Sequence, residues 1–213
     1  MYKRQVGTSR LTIKGVETLT PVTYSVIPDR IEAATYLSAL AVCGGQIRLR
    51  GARPDHMEML LRKLEEMGMN LEEDDSGLRA EVTGRLEAVD VSTLPYPGLA
   101  TDYKPFLVAA LTVAHGAGMV TENIFAGRFR YIDELVRMGA EIRAEGRHAV
   151  VRGVDRLSGA PVRAHDIRAG AALVIAGLAA DGETVISNAH HVDRGYEDLA
   201  GKLSSVGAKV ART

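Results

Sequence analysis

The chain contains the same pattern three times. When Asp29, Asp102 and Asp166 are aligned, three apolar segments fall in register, followed by three glycines and three Leu-x-x-hydrophobic-Gly endings. The glycines are Gly44, Gly116 and Gly182, and the endings close at Gly68, Gly139 and Gly207. A repeat of roughly 70 residues is longer than the repeats of solenoid arrays, so each copy should bury its apolar face against the other two. The sequence therefore predicts one domain with pseudo-threefold symmetry.

Each copy opens with a segment that is apolar on nearly all sides, at residues 31–43, 106–114 and 169–180. A helix without a polar face is a buried helix. Each segment is followed by a glycine and then by a short β-like stretch, at residues 46–49, 119–122 and 184–187. The first half of every copy is therefore predicted to be a buried helix that leads into a strand.

The second half of each copy opens with an amphipathic helix, at residues 57–67, 131–138 and 196–206. A glycine suited to the left-handed C-terminal position closes each helix. A further strand is expected at residues 69–72, 141–144 and 208–211, and hairpins are expected around 74–77 and 145–147 in the first two copies. The copy reads as a βαβαββ unit of an α/β (α+β) fold, with helices inside and sheets outside.

These patterns set the predicted boundaries. Residues 10–213 form the domain, with copies at approximately 22–84, 85–163 and 164–213, the last joined by the N-terminal strand. Residues 1–6 show no pattern, and residues 1–9 are expected to be a non-native or disordered segment.

Bulk composition narrows the classes of function. An apolar content of 46% with 25% charged residues is that of a globular protein. A net charge of −1 provides no overall field for nucleic acid or an anionic membrane, so any anion must be bound by local arginines. No apolar run is long enough for a membrane span, no leader is evident, and the single cysteine, Cys43, fits a reducing cytoplasm.

Three motifs carry a resemblance to a known family: Thr101-Asp102, the run DIRAGAAL at residues 166–173, and DRGYE at residues 193–197. In these and further stretches over nearly its whole length, the chain resembles the C-terminal half of the UDP-N-acetylglucosamine enolpyruvyl transferases. The resemblance implies two domains of three βαβαββ units each, with the active site in the cleft between them. It also implies transfer of the enolpyruvyl group from phosphoenolpyruvate to the 3-hydroxyl of UDP-N-acetylglucosamine, without a metal or organic cofactor. The implied partner is the N-terminal domain of the same protein.

Asp102 is the first candidate catalytic residue. Its position before a buried helix favours an N-cap, because a carboxylate accepts the free amide hydrogens of the first turn. The resemblance instead implies a general base that contacts the sugar hydroxyl. The two interpretations are compatible, since a helix N-terminus stabilises an ionised carboxylate.

The resemblance implies four further site residues. Arg194 would reach phosphoenolpyruvate on closure of the cleft, although an arginine beside Asp193 is more often part of a surface ion pair. Asp166 and Arg168 would lie near the reacting centre, with a helix cap and an ion pair as the alternative. Ile124 would contact the nucleotide sugar through its backbone, with a core strand position as the alternative. Arg128 also matches the family pattern, without an assigned role.

Other reactive side chains are expected to be inert. His190 and His191 lie on a stretch predicted to be extended, where neighbouring side chains point to opposite faces, which disfavours a metal site. Cys43 is expected to be a packed thiol without an activating neighbour.

The family's reactive cysteine belongs to the other domain, so the isolated chain is expected to be inactive. Two alternatives remain open. One is 5-enolpyruvylshikimate-3-phosphate synthase, and the other is a noncatalytic binding or assembly module of the same fold.

Overall fold

The computed structural model describes residues 2–4 and 11–212. Near the N-terminus, strand β1 (Tyr2–Arg4) pairs antiparallel with β2 (Leu11–Ile13). The other residues of the segment expected to be non-native or disordered, 1 and 5–9, lie outside the described part, and its boundary at residue 9 stays a prediction. Residues 14–29 contain neither helix nor strand and expose most of their apolar side chains.

The first copy forms helix α1 (Arg30–Cys43), strand β3 (Gly45–Arg50), helix α2 (Glu58–Glu66) and the hairpin β4 (Asn70–Asp74) and β5 (Gly77–Val82). Its sheet has the order β3-β5-β4, with antiparallel neighbours. Helix α2 buries Leu60, Leu61 and Leu64 and pairs Glu58 with Arg62 on its exposed side. From its first helix onward the copy has the predicted order of elements, whereas the strand predicted to open the unit is absent from described residues 22–29.

The second copy repeats this arrangement with a sheet of four strands, where the first copy has three. Its elements are β6 (Val91–Ser92), α3 (Lys104–Leu111), β7 (Ala117–Thr121), α4 (Ile132–Arg137), β8 (Glu141–Glu145) and β9 (His148–Arg152). The sheet order is β6-β7-β9-β8, in which β6 runs parallel to β7. Helix α3 begins two residues before the expected position, because Pro105 is well suited to the first turn of a helix.

The third copy departs from the prediction. Strands β10 (Leu157–Ser158) and β11 (Pro161–Arg163), at the end of the predicted second copy, precede α5 (Ile167–Leu178). This helix is followed by β12 (Ala180–Asp181), β13 (Val185–Ser187), α6 (His190–Asp193) and α7 (Leu199–Ser205). The predicted strand at 208–211 is wrong. No neighbouring strand among the described residues offers a ladder, and the carbonyl of Val210 accepts the Ser204 hydroxyl at 2.8 Å instead.

The three apolar helices form the centre of the molecule. Helices α1, α3 and α5 pack against one another, and all eight residues of α3 are buried. The strands lie outside them, and β7 and β9 alternate exposed with buried residues. The predicted arrangement of helices inside and sheets outside is confirmed. No helix in the described ranges is both long and apolar enough to cross a membrane.

Candidate functional site

The three aligned aspartates precede the three central helices, but they do not play the same structural role. Asp29 accepts a hydrogen bond from the amide of Ile31 at 2.7 Å, and Asp166 accepts from the amides of Arg168 and Ala169, each at 2.8 Å. Both are therefore N-caps. Helix α3 begins at Lys104 without any side-chain cap, so the interpretation of Asp102 as an N-cap is wrong.

The carboxylate of Asp102 faces two arginines instead. It accepts a hydrogen bond from Nη2 of Arg128 at 3.2 Å and lies 3.8 Å from Nε of Arg168. Its side chain is 38% exposed, whereas that of Arg168 is 19% exposed. The Asp102 carboxylate is thus accessible, is stabilised by the positive charges of Arg128 and Arg168, and accepts no hydrogen bond as a cap of α3.

Arg168 and its neighbours join the first and third copies near Asp102. The hydroxyl groups of Thr35 and Tyr196 lie 2.7 Å apart in the interior, and Arg168 interacts with Tyr196. Burial raises the pKa of Tyr196, and Thr35 and Arg168 oppose that rise, so this phenol is neutral at physiological pH. Gly195 packs so closely that a Cβ there would lie 3.4 Å from Nη1 of Arg168. The DRGYE motif and the DIRAGAAL motif therefore meet in space.

A buried ion pair lies under the site and was not predicted from the sequence. Nζ of Lys104 is 2.8 Å from Oε2 of Glu122, and both side chains are completely buried. Oε2 also accepts the hydroxyl of Thr101 at 2.7 Å. Oε1 accepts the hydroxyl of Thr93 at 2.7 Å and the amides of Ile124 and Phe125 at 2.8 and 3.1 Å. Five donors thus converge on one carboxylate.

The two partners respond differently to burial. Burial opposes ionisation of Glu122, but the hydrogen bonds from Lys104, Thr101 and Thr93 lower the pKa of Glu122 to about 2. Burial also lowers the pKa of Lys104, while Glu122 opposes that change. Because Lys104 also donates to the carbonyl of Arg128 at 2.7 Å and lies 4.0 Å from the ring of Phe129, its ammonium is well compensated.

A cavity of about 440 Å³ opens beside these residues. Its lining comprises Phe125, Ala126, Gly127, Arg128, Arg130, Tyr131 and Asp166. The Tyr131 hydroxyl is buried and has no hydrogen-bond partner in the described chain, and burial raises its pKa strongly. Two arginines at the cavity suit an anionic ligand, since guanidinium groups form paired hydrogen bonds with carboxylate or phosphate.

A second cavity of similar volume lies beside strands β4 and β5 and shares no residue with the first. Three glutamates, Glu65, Glu72 and Glu81, contribute to its lining, with Arg79 as the basic residue there. This excess of negative charge disfavours an anionic substrate.

Arg194 follows helix α6 directly and is exposed. The alternative interpretation of Arg194, an ion pair with Asp193, is wrong, because Asp193 pairs with Arg212 and the Arg194 side chain has no hydrogen bond or ion pair with any residue in the described ranges. The guanidinium is therefore available to a ligand. The structure does not bring it into contact with Asp102.

Ile124 lies in the loop after β7 and is half-buried, so it is not a core strand residue. Its amide is already donated to Glu122, whereas its carbonyl accepts no hydrogen bond from the described residues. A contact from this backbone to a ligand would therefore be made through the carbonyl oxygen.

Two expectations about the remaining reactive side chains are wrong. His190 and His191 lie in helix α6, with ring centroids 4.2 Å apart, so the predicted extended stretch is wrong. Within the described ranges, no group of three or more acidic, histidine or cysteine side chains is arranged to hold a metal ion. Cys43 is exposed, so the expectation of a packed thiol is also wrong. Desolvation by its surroundings still raises the pKa of the Cys43 thiol, which disfavours the reactive thiolate.

A model of one protein family, described as EPSP synthase (3-phosphoshikimate 1-carboxyvinyltransferase), matches residues 3–203. The chain belongs to the EPSP synthase family. Within this family, curated relatives named UDP-N-acetylglucosamine 1-carboxyvinyltransferase are about half identical in sequence to it. The relative from Thermotoga petrophila is 51% identical over 96% of this chain, and that from Gluconacetobacter diazotrophicus is 50% identical over 97%.

Two solved structures agree with the fold. The enolpyruvyl transferase NikO from Streptomyces tendae superposes with a TM-score of 0.79 at 29% identity, covering 87% of this chain and 44% of that one. The EPSP synthase of Acinetobacter baumannii gives a TM-score of 0.60 at 19% identity over 82% of this chain and 44% of its own, a likeness of fold alone. The chain spans about half the length of the curated relatives it matches.

Proposed function

We propose that this chain is one half of a UDP-N-acetylglucosamine 1-carboxyvinyltransferase. The observation that carries the proposal is the 51% identity, over nearly the whole chain, to a relative of that name. The reaction transfers the enolpyruvyl group of phosphoenolpyruvate to the 3-hydroxyl of UDP-N-acetylglucosamine and releases phosphate. It is the first committed step of peptidoglycan precursor synthesis, on which bacterial cell shape and division depend, and it takes place in the cytoplasm.

Asp102 is the general base of the proposed reaction. The oxygen of the sugar hydroxyl bonds to the enol carbon that carries phosphate, the bond from that carbon to the phosphate oxygen breaks, and the hydroxyl proton passes to Asp102. An acid of the other half adds a proton to the methylene carbon during addition, and that carbon loses a proton again on elimination. An accessible carboxylate that caps no helix supports this role, since a base must reach the proton it removes.

The arginines provide the electrostatic part of the mechanism. Phosphoenolpyruvate carries a carboxylate and a phosphate, and both groups match the planar donors of guanidinium. Arg194, which lacks a protein partner in the described chain, binds phosphoenolpyruvate when the cleft closes. Arg168 orients Asp102, Asp166 contributes to proton transfer or orientation near the reacting centre, and the backbone of Ile124 contacts the nucleotide sugar.

The site is completed by the half of the protein that this chain does not span. Enolpyruvyl transfer requires two substrates and several groups to be held in one water-poor arrangement. The cavity beside Asp166 is open, and Arg194 is exposed. We therefore expect the chain alone to be inactive and to become active when the other half closes over it.

Two other functions give different outcomes in the same assay. An EPSP synthase would use shikimate 3-phosphate as acceptor, in agreement with the description of the family model. A noncatalytic module of the same fold would release phosphate with neither acceptor. The higher identity to the UDP-N-acetylglucosamine transferases favours UDP-N-acetylglucosamine as the acceptor.

The test is reconstitution of phosphate release. The chain is mixed with the half of the Thermotoga petrophila relative that it does not match, and phosphoenolpyruvate is supplied with either acceptor. The relative's own two halves, made separately, are the positive control. Phosphate release that requires both halves and UDP-N-acetylglucosamine would support the proposal. Association of the halves without release, while the control pair is active, would contradict it.

A further inference from the structure

The ion pair between Lys104 and Glu122 is unusual among the contacts of this chain. Of the ion pairs within the described ranges, it is the one in which both side chains are completely buried. Taking two charges out of water costs several kcal/mol per ion before their attraction offsets it, so such a pair is weak evidence for stability. Its contacts point to a different role, because they all lead to the candidate site.

One oxygen of Glu122 leads to Asp102. Oε2 accepts the hydroxyl proton of Thr101 at 2.7 Å, which leaves the lone pairs of that hydroxyl to act as acceptors. Nη1 of Arg128 donates to the same hydroxyl at 3.2 Å, and Nη2 of Arg128 donates to Asp102 at 3.2 Å. Glu122 therefore sets the direction of the Thr101 hydroxyl, the hydroxyl orients Arg128, and Arg128 orients Asp102.

The other oxygen of Glu122 holds the loop that carries Arg128. Oε1 accepts the amides of Ile124 and Phe125, and Lys104 closes the far end of the loop through the carbonyl of Arg128 at 2.7 Å. Thr93 adds a further support, since its hydroxyl donates to Oε1 and accepts the amide of Asn123 at 2.9 Å. The loop is thus fixed at both ends by one buried pair.

We propose that Glu122 is a positioning residue of the active site, which acts on Asp102 through Thr101 and Arg128 and fixes the loop at residues 123–128. The proposal rests on the proposed function for its catalytic consequence. Its structural part, the orientation of Arg128, is independent of the reaction. The amide of a glutamine at this position would replace one acceptor oxygen with a donor, so it could not serve both Thr101 with Lys104 and the loop amides.

The test uses two variants and a matched control. Glu122→Gln removes the charge and one acceptor. Thr101→Val removes only the hydroxyl between Glu122 and Arg128 and leaves the Lys104–Glu122 ion pair intact. It therefore tests the connection from Glu122 to Arg128 even if Glu122→Gln fails to fold. The control is Glu134→Gln, because Glu134 is also a buried carboxylate that accepts a backbone amide, that of Arg163 at 3.2 Å, but it has no contact with Asp102.

Two readouts separate positioning from a general loss of stability. The first is hydrogen exchange of the Arg128 guanidinium in the chain itself, measured by NMR. The second is kcat and KM in the reconstituted pair. We expect both variants to accelerate the exchange and to lower kcat by about 100-fold, with little change in the KM for phosphoenolpyruvate, because misplacement by about 1 Å can cost that factor. The control should change neither.

A folded Thr101→Val chain whose guanidinium exchange and kcat match those of Glu134→Gln would overturn the proposal. If the unsubstituted pair releases no phosphate while the control halves do, the proposed function fails. Accelerated exchange in Thr101→Val would then still support the orienting role of Glu122, and unchanged exchange would refute it.

Discussion

Nη2 of Arg128 donates to the carboxylate of Asp102 at 3.2 Å. The equivalent aspartates of the other two copies, Asp29 and Asp166, form helix caps instead. Each of the three copies has an aspartate just before its central helix, and the copies differ in what that aspartate contacts. Because the cap is missing, the carboxylate is free to take part in chemistry.

The three aspartates should differ in their contribution to stability. Asp29→Ala and Asp166→Ala should each lower the free energy of unfolding by about 1 kcal/mol, the usual cost of removing an N-cap. Asp102→Ala loses only a partly exposed ion pair and should cost less than about 1 kcal/mol. Urea denaturation of the three variants measures the difference. Equal losses at all three positions would show that Asp102 also acts as a cap in solution.

The free energy of unfolding should depend on the ionisation of Glu122 in the acidic pH range. Its pKa of about 2 in the folded chain lies below its value in the unfolded chain, so the folded state favours the ionised form. The contribution is present above about pH 4.3 and is lost as the pH falls through about 2, and a shift of this size corresponds to about 3 kcal/mol.

Comparison with Glu122→Gln isolates this effect from the other carboxylates. The difference in unfolding free energy between the two chains should be largest above pH 5 and should shrink as the pH falls towards 2. Urea titrations at several pH values, with Glu134→Gln alongside, provide the measurement. A difference that stays constant across this range would contradict the lowered pKa.

Arg194 should matter for binding and not for folding. Its side chain is exposed and unpaired within the described ranges, so Arg194→Ala should leave the free energy of unfolding unchanged within about 0.5 kcal/mol. Loss of hydrogen bonds to a charged ligand costs about 1.5–3 kcal/mol, so the KM for phosphoenolpyruvate should rise by about 10- to 100-fold. Steady-state kinetics of the reconstituted pair test this, with Arg156→Ala as an exposed control outside the site. An unchanged KM would remove Arg194 from the site.

Gly170 should be required for the packing of α6 on α5. A Cβ at this position would lie 2.6 Å from Cγ2 of Val192 and 3.1 Å from Cβ of Ala164, both attached to rigid parts of their side chains. Gly170→Ala should therefore destabilise the chain by about 1–3 kcal/mol, as overpacking does. In Gly177→Ala, on the same helix, the nearest contact is 3.3 Å to Thr184, so a smaller loss is expected. Thermal denaturation measures the stability of both variants. A Gly170→Ala chain as stable as Gly177→Ala would refute the close approach of Gly170 to Val192.

Much of the fold could be predicted from the sequence because its signals are local. The central helices follow from segments that are apolar on all sides, and Asp166 forms the helix cap that was its alternative interpretation. The two hairpins follow from their turn residues. Local signals failed where pairing decides the structure, as at residues 208–211, which have strand-like residues but no neighbouring strand within the described ranges.

The candidate site was harder to predict because its key contacts join residues that are distant in sequence. Lys104 and Glu122 were both visible as charged residues within otherwise apolar stretches, and that pattern is the signal that could have revealed the ion pair. The missing cap at Asp102 could not be deduced, since the turn at Thr101 is held by Glu122. The alternative of an ion pair between Arg194 and Asp193 failed because Asp193 pairs with Arg212, which is 19 residues away and is not indicated by the local sequence.

Turnover of Asp102→Asn in the reconstituted pair tests the central claim most directly, with Asp29→Asn as the matched variant at the equivalent position of the first copy. If Asp102 is the general base, its amide variant should lose about 100- to 10,000-fold in kcat while its unfolding curve is unchanged. Asp29→Asn should keep near-normal turnover, because asparagine is also a good N-cap. Near-normal turnover of Asp102→Asn would contradict the account.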